Sequence, residues 1–156
     1  DVMAVAKGIG NGFPVGAVLA TAEAASGLTP GTHGSTYAGN PLASAVCNAV
    51  LDVMLADGFL QRVRAAGDRL QAGLADLAGR RPDVVAGVRG KGLLVGLQLH
   101  VEPPAFNKAC FEHGLLVVPA GDNVVRLLPP LVVSDAEIDE ALGLLDQVAS
   151  EFARAA

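Results

Sequence analysis

Three places in the 156-residue chain gather side chains that could do chemistry. Lys7 follows the apolar run Val2 to Ala6 and precedes Gly8, Gly10, Gly12, Pro14 and Gly16. Burial of a lysine among aliphatic residues and glycines, with no carboxylate beside it, favours the neutral, nucleophilic amine. Taken alone, the same pattern describes even better a solvated lysine at a hairpin corner. The second place is Thr32 to Pro41, THGSTYAGNP. Ser35 and Thr36 place two hydroxyls just ahead of a helix start, and hydroxyls, free N–H groups and a positive helix end together suit a phosphate. Read locally, a turn-and-capping segment is the simpler account. His33 has no Ser/His/Asp spacing around it and reads as a hydrogen-bonded loop histidine. The third place is Arg126 in VVRLLPP, an arginine in an apolar strand that needs an anionic partner, either a structural carboxylate or a substrate carboxylate. Arg89 and Lys91, beside glycines, read as solvated turn charges.

The elements that must position these groups follow from hydrophobic period and turn chemistry. Residues 2–6 predict a buried strand and residues 15–20 a second one, which puts Lys7 at a strand end on a glycine-rich hairpin. Asn40 is a helix cap with Pro41 at the first helical position. The helix from Pro41 to about Ala56 is apolar almost all round and is therefore expected to be buried. A second, amphipathic helix runs from about Phe59 to Ala78, with Leu60, Val63, Leu70, Leu74 and Leu77 as its stripe. Strands are expected at 84–89, 93–99, 115–118 and 124–128, and a short helix at 104–113. Ser134 to Glu137 is a capping box opening a last helix to about Ala153. Strands with helices to one side make a small α+β lobe. The first ~50 residues have too few layers to cover one another.

Composition narrows the function classes. The chain is 51% hydrophobic and 17% charged, enough apolar surface for a core and too little charge for intrinsic disorder. A net charge of −5 lacks the basic footprint of a nucleic-acid binder. No apolar run approaches the ~20 residues of a membrane span. Cys47 and Cys110 form neither a disulfide framework nor a metal pattern, and read as buried reduced thiols. Asp1 is preceded by neither an initiator methionine nor a basic leader, and the chain reads as a fragment.

Jointly, three stretches resemble class III pyridoxal-phosphate (PLP) aminotransferases, in particular the acetylornithine/succinylornithine branch. DVMAVAKGIGNGFPVGA (residues 1–17) resembles the family's cofactor-lysine hairpin, and GTHGSTYAGNPLA (31–43) its phosphate segment. RGKGLLVG (89–96) followed by VVRLLPPL (124–131) resembles its small C-terminal domain. The interval from Lys7 to Thr36 matches that branch. The resemblance implies an α/β chain, the C-terminal portion of a fold type I PLP-dependent transferase ending in a small α+β domain. Residues 1–57 would be a remnant of the large cofactor-binding domain, and residues 58–156 a linking helix and the small domain.

The resemblance also implies roles. Lys7 would bind PLP as an internal Schiff base and then move the proton between substrate carbon and cofactor. Thr36 would bind the PLP phosphate, reaching across a homodimer interface, and Ser35 would contact substrate. Asn40 and Pro41 would start the helix supporting that loop, and Arg126 matches a family arginine near the substrate end. The implied reaction is ping-pong amino transfer from N2-acetylornithine to 2-oxoglutarate, in arginine biosynthesis, in the cytoplasm. The alternatives are succinylornithine, ornithine or 4-aminobutyrate as donor, or an inactive folding or dimerisation module when the chain is isolated. The family's ring-pairing aspartate, ring-stacking aromatic, second phosphate loop and main carboxylate-binding arginine have no counterpart here. Ala38 stands where relatives often carry glycine, and a positive φ there would be strained.

Overall fold

In the computed structural model, which describes residues 1–155, the chain divides into two units, Asp1–Phe59 and Leu60–Ala156. The first unit opens with an antiparallel hairpin of β1 (Val2–Ala6) and β2 (Gly16–Ala20), paired from Val2↔Ala20 to Ala6↔Gly16. A 3-10 turn, Lys7–Ile9, leads out of β1. After a loop, α1 (Pro41–Met54) lies against that turn. Its half-buried residues Ala43, Val46, Cys47, Val50 and Met54 recur at helical spacing and mark the packed face.

Two expectations fail in this unit. The α1 helix was expected to be buried, yet none of its residues is, and Leu42 is 63% exposed. The β1 strand was likewise expected to be buried, yet Val2 and Met3 are exposed, as are Val18 and Leu19 on β2. The physical reason is the shortage of layers: one hairpin and one helix cannot cover both faces of the hairpin and the whole circumference of the helix.

The second unit has a true core. Helix α2 (Phe59–Arg80) is followed by β3 (Val85–Lys91), β4 (Leu94–Leu99), α3 (Pro103–Glu112), β5 (Val118–Ala120), β6 (Val124–Leu127) and α4 (Asp135–Ala155). The strands form one antiparallel sheet in the order β3-β4-β6-β5. Val95 pairs with Leu127 and Leu97 with Val125, so one sheet face is aliphatic, and these residues share a buried cluster with Leu70, Leu74, Leu77, Phe106, Ile138 and Leu145 from the helices. Strand period 2 places Gly96 and Arg126 on the opposite face.

The predicted strand at 115–118 shifts to Val118–Ala120 because Leu115 is used by the end of α3. Gly114 takes φ +83°, its N–H donates to Phe111 (3.0 Å), and the Leu115 N–H donates to the Cys110 carbonyl (2.8 Å). That is the Schellman arrangement, which satisfies the last carbonyls of α3 before the chain can extend. The capping box of α4 forms: the Ser134 N–H and hydroxyl both donate to Glu137 Oε2, at 2.7 and 2.8 Å, and the Glu137 N–H donates back to Ser134 Oγ at 3.3 Å. The Ser134 backbone N–H, and then its hydroxyl, hold the Glu137 carboxyl below its usual range. Cys110 is fully buried, and burial pushes its thiol up to about 11; Cys47 is only half-buried. Both thiols are free. Among the described residues, no single helix is long and apolar enough to cross a membrane.

Candidate active site

The hairpin and the start of α1 build the candidate site from the inside out. Lys7 adopts φ +52°, and the backbone turns sharply there: its carbonyl accepts from the Gly10 N–H at 3.0 Å, and the Gly10 carbonyl accepts from Phe13 at 2.9 Å. Gly10 is buried, and a Cβ on it would stand 2.3 Å from the Phe13 carbonyl oxygen and 2.5 Å from Val15 Cγ1. Only glycine allows the turn below Lys7 to close. A left-handed lysine held by such a turn is a strained residue at a position with chemical potential.

Lys7 itself is exposed, so the burial invoked for its nucleophilicity is absent from these 155 described residues. The reason is the missing cover over the hairpin described above. Its amine makes no ion pair and no hydrogen bond to another described residue. Lys7 lines a small concavity of 540 Å³ with Gly8, Asn11 and the Phe13–Val15 segment.

A larger cleft of 930 Å³ lies within the same unit, and Phe13, Pro14 and Val15 serve as a wall to both. Ser35 lines this larger cleft, together with Asn40 and the α1 residues Ser44, Cys47 and Asn48. Thr36 is exposed beside it and does not line it. Lys7 and the Ser35–Thr36 pair thus occur in one unit around a shared wall, without opening into one cavity. The sequence reading missed Ser44 and Asn48; their i, i+4 spacing, continued by Asp52 on a mostly apolar helix, was the available signal.

The local capping question is answered by geometry. Asn40 Oδ1 accepts from the N–H groups of Leu42 (2.9 Å) and Ala43 (3.2 Å), and Pro41 occupies the first helical position. Asn40, not the serine or threonine, caps α1. The hydroxyls of Ser35 and Thr36 have no hydrogen-bond partner among the described residues. The positive φ foreseen as strain at Ala38 falls instead on Gly39, at +69°. An amine without a partner on the hairpin and, apart from it, two hydroxyls without partners ahead of a helix N-terminus are groups able to meet an aldehyde and a phosphate respectively.

Arg126 is exposed and makes no ion pair among the described residues. The register sets it opposite Gly96, which in turn faces Arg89. Arg89, expected as a turn charge, lies instead within β3, because the strand runs on to Lys91 before the hairpin turns; it is exposed there and reaches Asp122 at 3.3 Å. His33 is exposed in its loop.

Comparisons with known proteins agree with one another. The family model described as aminotransferase class-III matches residues 1–149. The acetylornithine aminotransferase of Agrobacterium fabrum is 57% identical over 97% of this chain, which covers 38% of that relative. The one from Thermosynechococcus vestitus is 43% identical over 98% of this chain, again covering 38% of the relative. Among solved structures, an acetylornithine aminotransferase from Elizabethkingia anophelis superposes with a TM-score of 0.89 at 33% identity, over 97% of this chain and 41% of that one. The ornithine aminotransferase of Toxoplasma gondii gives 0.92 at 29% identity, over 100% and 38%. The chain therefore spans about two fifths of the length of the relatives it matches. Its mixed α/β architecture is that of the C-terminal portion of a fold type I transferase. A match running through the lysine hairpin, the hydroxyl-bearing turn and the small sheet domain leaves one assignment: the chain belongs to the class-III aminotransferase family.

Proposed function

We propose that this chain supplies the lysine hairpin and the phosphate-binding turn of a PLP-dependent transaminase that passes an amino group from N2-acetylornithine to 2-oxoglutarate. The observation that carries the reading is the high identity to acetylornithine aminotransferases across nearly the whole chain. When bound, PLP supplies an electron-withdrawing ring that stabilises negative charge at the substrate carbon. Lys7 Nζ anchors the cofactor and, once freed as a neutral amine, moves the proton at the amino-bearing carbon of the substrate. The Thr36 hydroxyl donates to the cofactor phosphate, and Ser35 contacts the donor. Residues 1–57 belong to the large cofactor-binding domain and 58–156 to a linking helix and the small domain.

The remaining cofactor contacts come from the portion of the relatives that this chain does not span. A homodimer with Thr36 serving the neighbouring site, in the cytoplasm, completes the proposal. The test is a donor panel on the full-length protein: acetylornithine, succinylornithine, ornithine and 4-aminobutyrate, each with 2-oxoglutarate. Acetylornithine is expected to give the highest kcat/KM, and the isolated 156-residue chain no turnover. Preference for ornithine would move the reading to the second group of structural relatives. No transfer from any donor would overturn it.

A further inference from the structure

Ser35 and Thr36 are held by backbone alone, and the backbone leads to one side chain. The Ala38 N–H donates to the Ser35 carbonyl (3.4 Å), and the Asn40 N–H donates to the Tyr37 carbonyl (3.2 Å), across a left-handed Gly39. Asn40 then turns the chain into α1: its carbonyl accepts from Ser44 (2.9 Å) and its Oδ1 from Leu42 and Ala43. Pro41 has no N–H, so the side chain of Asn40 alone satisfies the first free donors of α1. Removing Oδ1 leaves those donors to water and loosens the first turn, and with it the point to which the hydroxyl-bearing turn is tied.

We propose that Asn40 is a positioning residue for the phosphate-facing hydroxyl of Thr36, setting phosphate affinity through the cap of α1 without touching the ligand. The proposal rests on the PLP reading above. It requires that Asn40→Ala weaken recognition of the phosphate and not of the pyridine ring. The probes are PLP and pyridoxal, which differ only in the phosphate, titrated into the apo full-length protein by fluorescence.

Asn40→Ala is expected to lower PLP affinity roughly five- to tenfold, the scale set by loss of a helix cap, while pyridoxal affinity stays within about twofold. Asn40→Ser, a neutral capping residue, is expected to restore PLP affinity to within about threefold of wild type. If Asn40→Ala does not yield folded protein, Asn40→Gln, which keeps a polar amide but carries its oxygen one methylene too far out for the cap, carries the same comparison. Equal loss for both ligands, no loss for either, or no rescue by serine overturns the positioning role. Thr36→Ala is measured alongside. If it lowers PLP affinity selectively while the Asn40 variants do not, only the positioning role falls. If it leaves the PLP-to-pyridoxal ratio unchanged, the phosphate assignment falls and takes the positioning role with it.

Discussion

Val18 and Leu97 are both aliphatic residues in the middle of an antiparallel strand, yet the first is 68% exposed and the second 0%. The contrast extends to their units. In residues 60–155 a four-stranded sheet and three helices share one hydrophobic cluster. In residues 1–59 only Gly10 is buried, and for a steric reason. The unpaired amine and hydroxyls that the proposed chemistry needs all lie in the unit without a core. A group that must meet a ligand cannot be consumed by packing, whereas several polar side chains of the second unit serve in caps and in ion pairs with α4. Arg69 binds Asp139 at 2.6 Å, and Arg81 binds Asp146 at 2.8 Å.

That division can be broken most forcefully at Lys7. In the full-length protein, Lys7→Ala is expected to lower kcat by at least the roughly 10²–10⁴-fold assigned to a general acid–base group. The unfolding midpoint of the apo form should move little, because the amine makes no ion pair or hydrogen bond among the described residues. Near-wild-type turnover would remove the lysine from the chemistry.

The reverse substitution probes the core. Leu74→Ala deletes a fully buried side chain and is expected to cost about 2–5 kcal/mol in urea unfolding of this chain. Leu42→Ala, on exposed α1, should change stability by no more than about 0.5 kcal/mol. Equal losses would mean that α1 is packed in solution and that the contrast between the units is wrong.

The finest test separates neighbours. Thr36→Ala removes one hydrogen bond to a doubly charged phosphate, worth about 1.5–3 kcal/mol, and should weaken PLP binding roughly ten- to a hundredfold. Ser35→Ala should raise KM for the amino donor and leave PLP affinity nearly unchanged. Since Asn40 already caps the helix, neither change should lower apo stability. Identical PLP affinities in the two variants would refute the division of labour between them.

Much of this protein was legible along the chain because local rules sufficed. The cap at Asn40-Pro41, the capping box Ser134–Glu137, the hairpin around Lys7 and the stripe of Leu70, Leu74 and Leu77 each depend on residues within a few positions of one another, where turn geometry and the helical period act directly. Local pattern alone offered Lys7, Ser35 and Thr36 only as polar groups at breaks in an apolar run, better read as a solvated corner and a capping turn; it was the family resemblance of the longer stretches around them that made them site candidates. Burial was another matter. An apolar helix and two apolar strands announce that something must cover them, but the covering layer comes from elsewhere in three dimensions, so α1, β1 and β2 emerge exposed. Register likewise waited for tertiary structure: only the pairing of β3, β4 and β6 sets Arg89, Gly96 and Arg126 in one row on the sheet face away from the core. Short-range hydrogen bonding is written in the order of residues, whereas solvent exclusion and cross-strand neighbours depend on which distant segments meet.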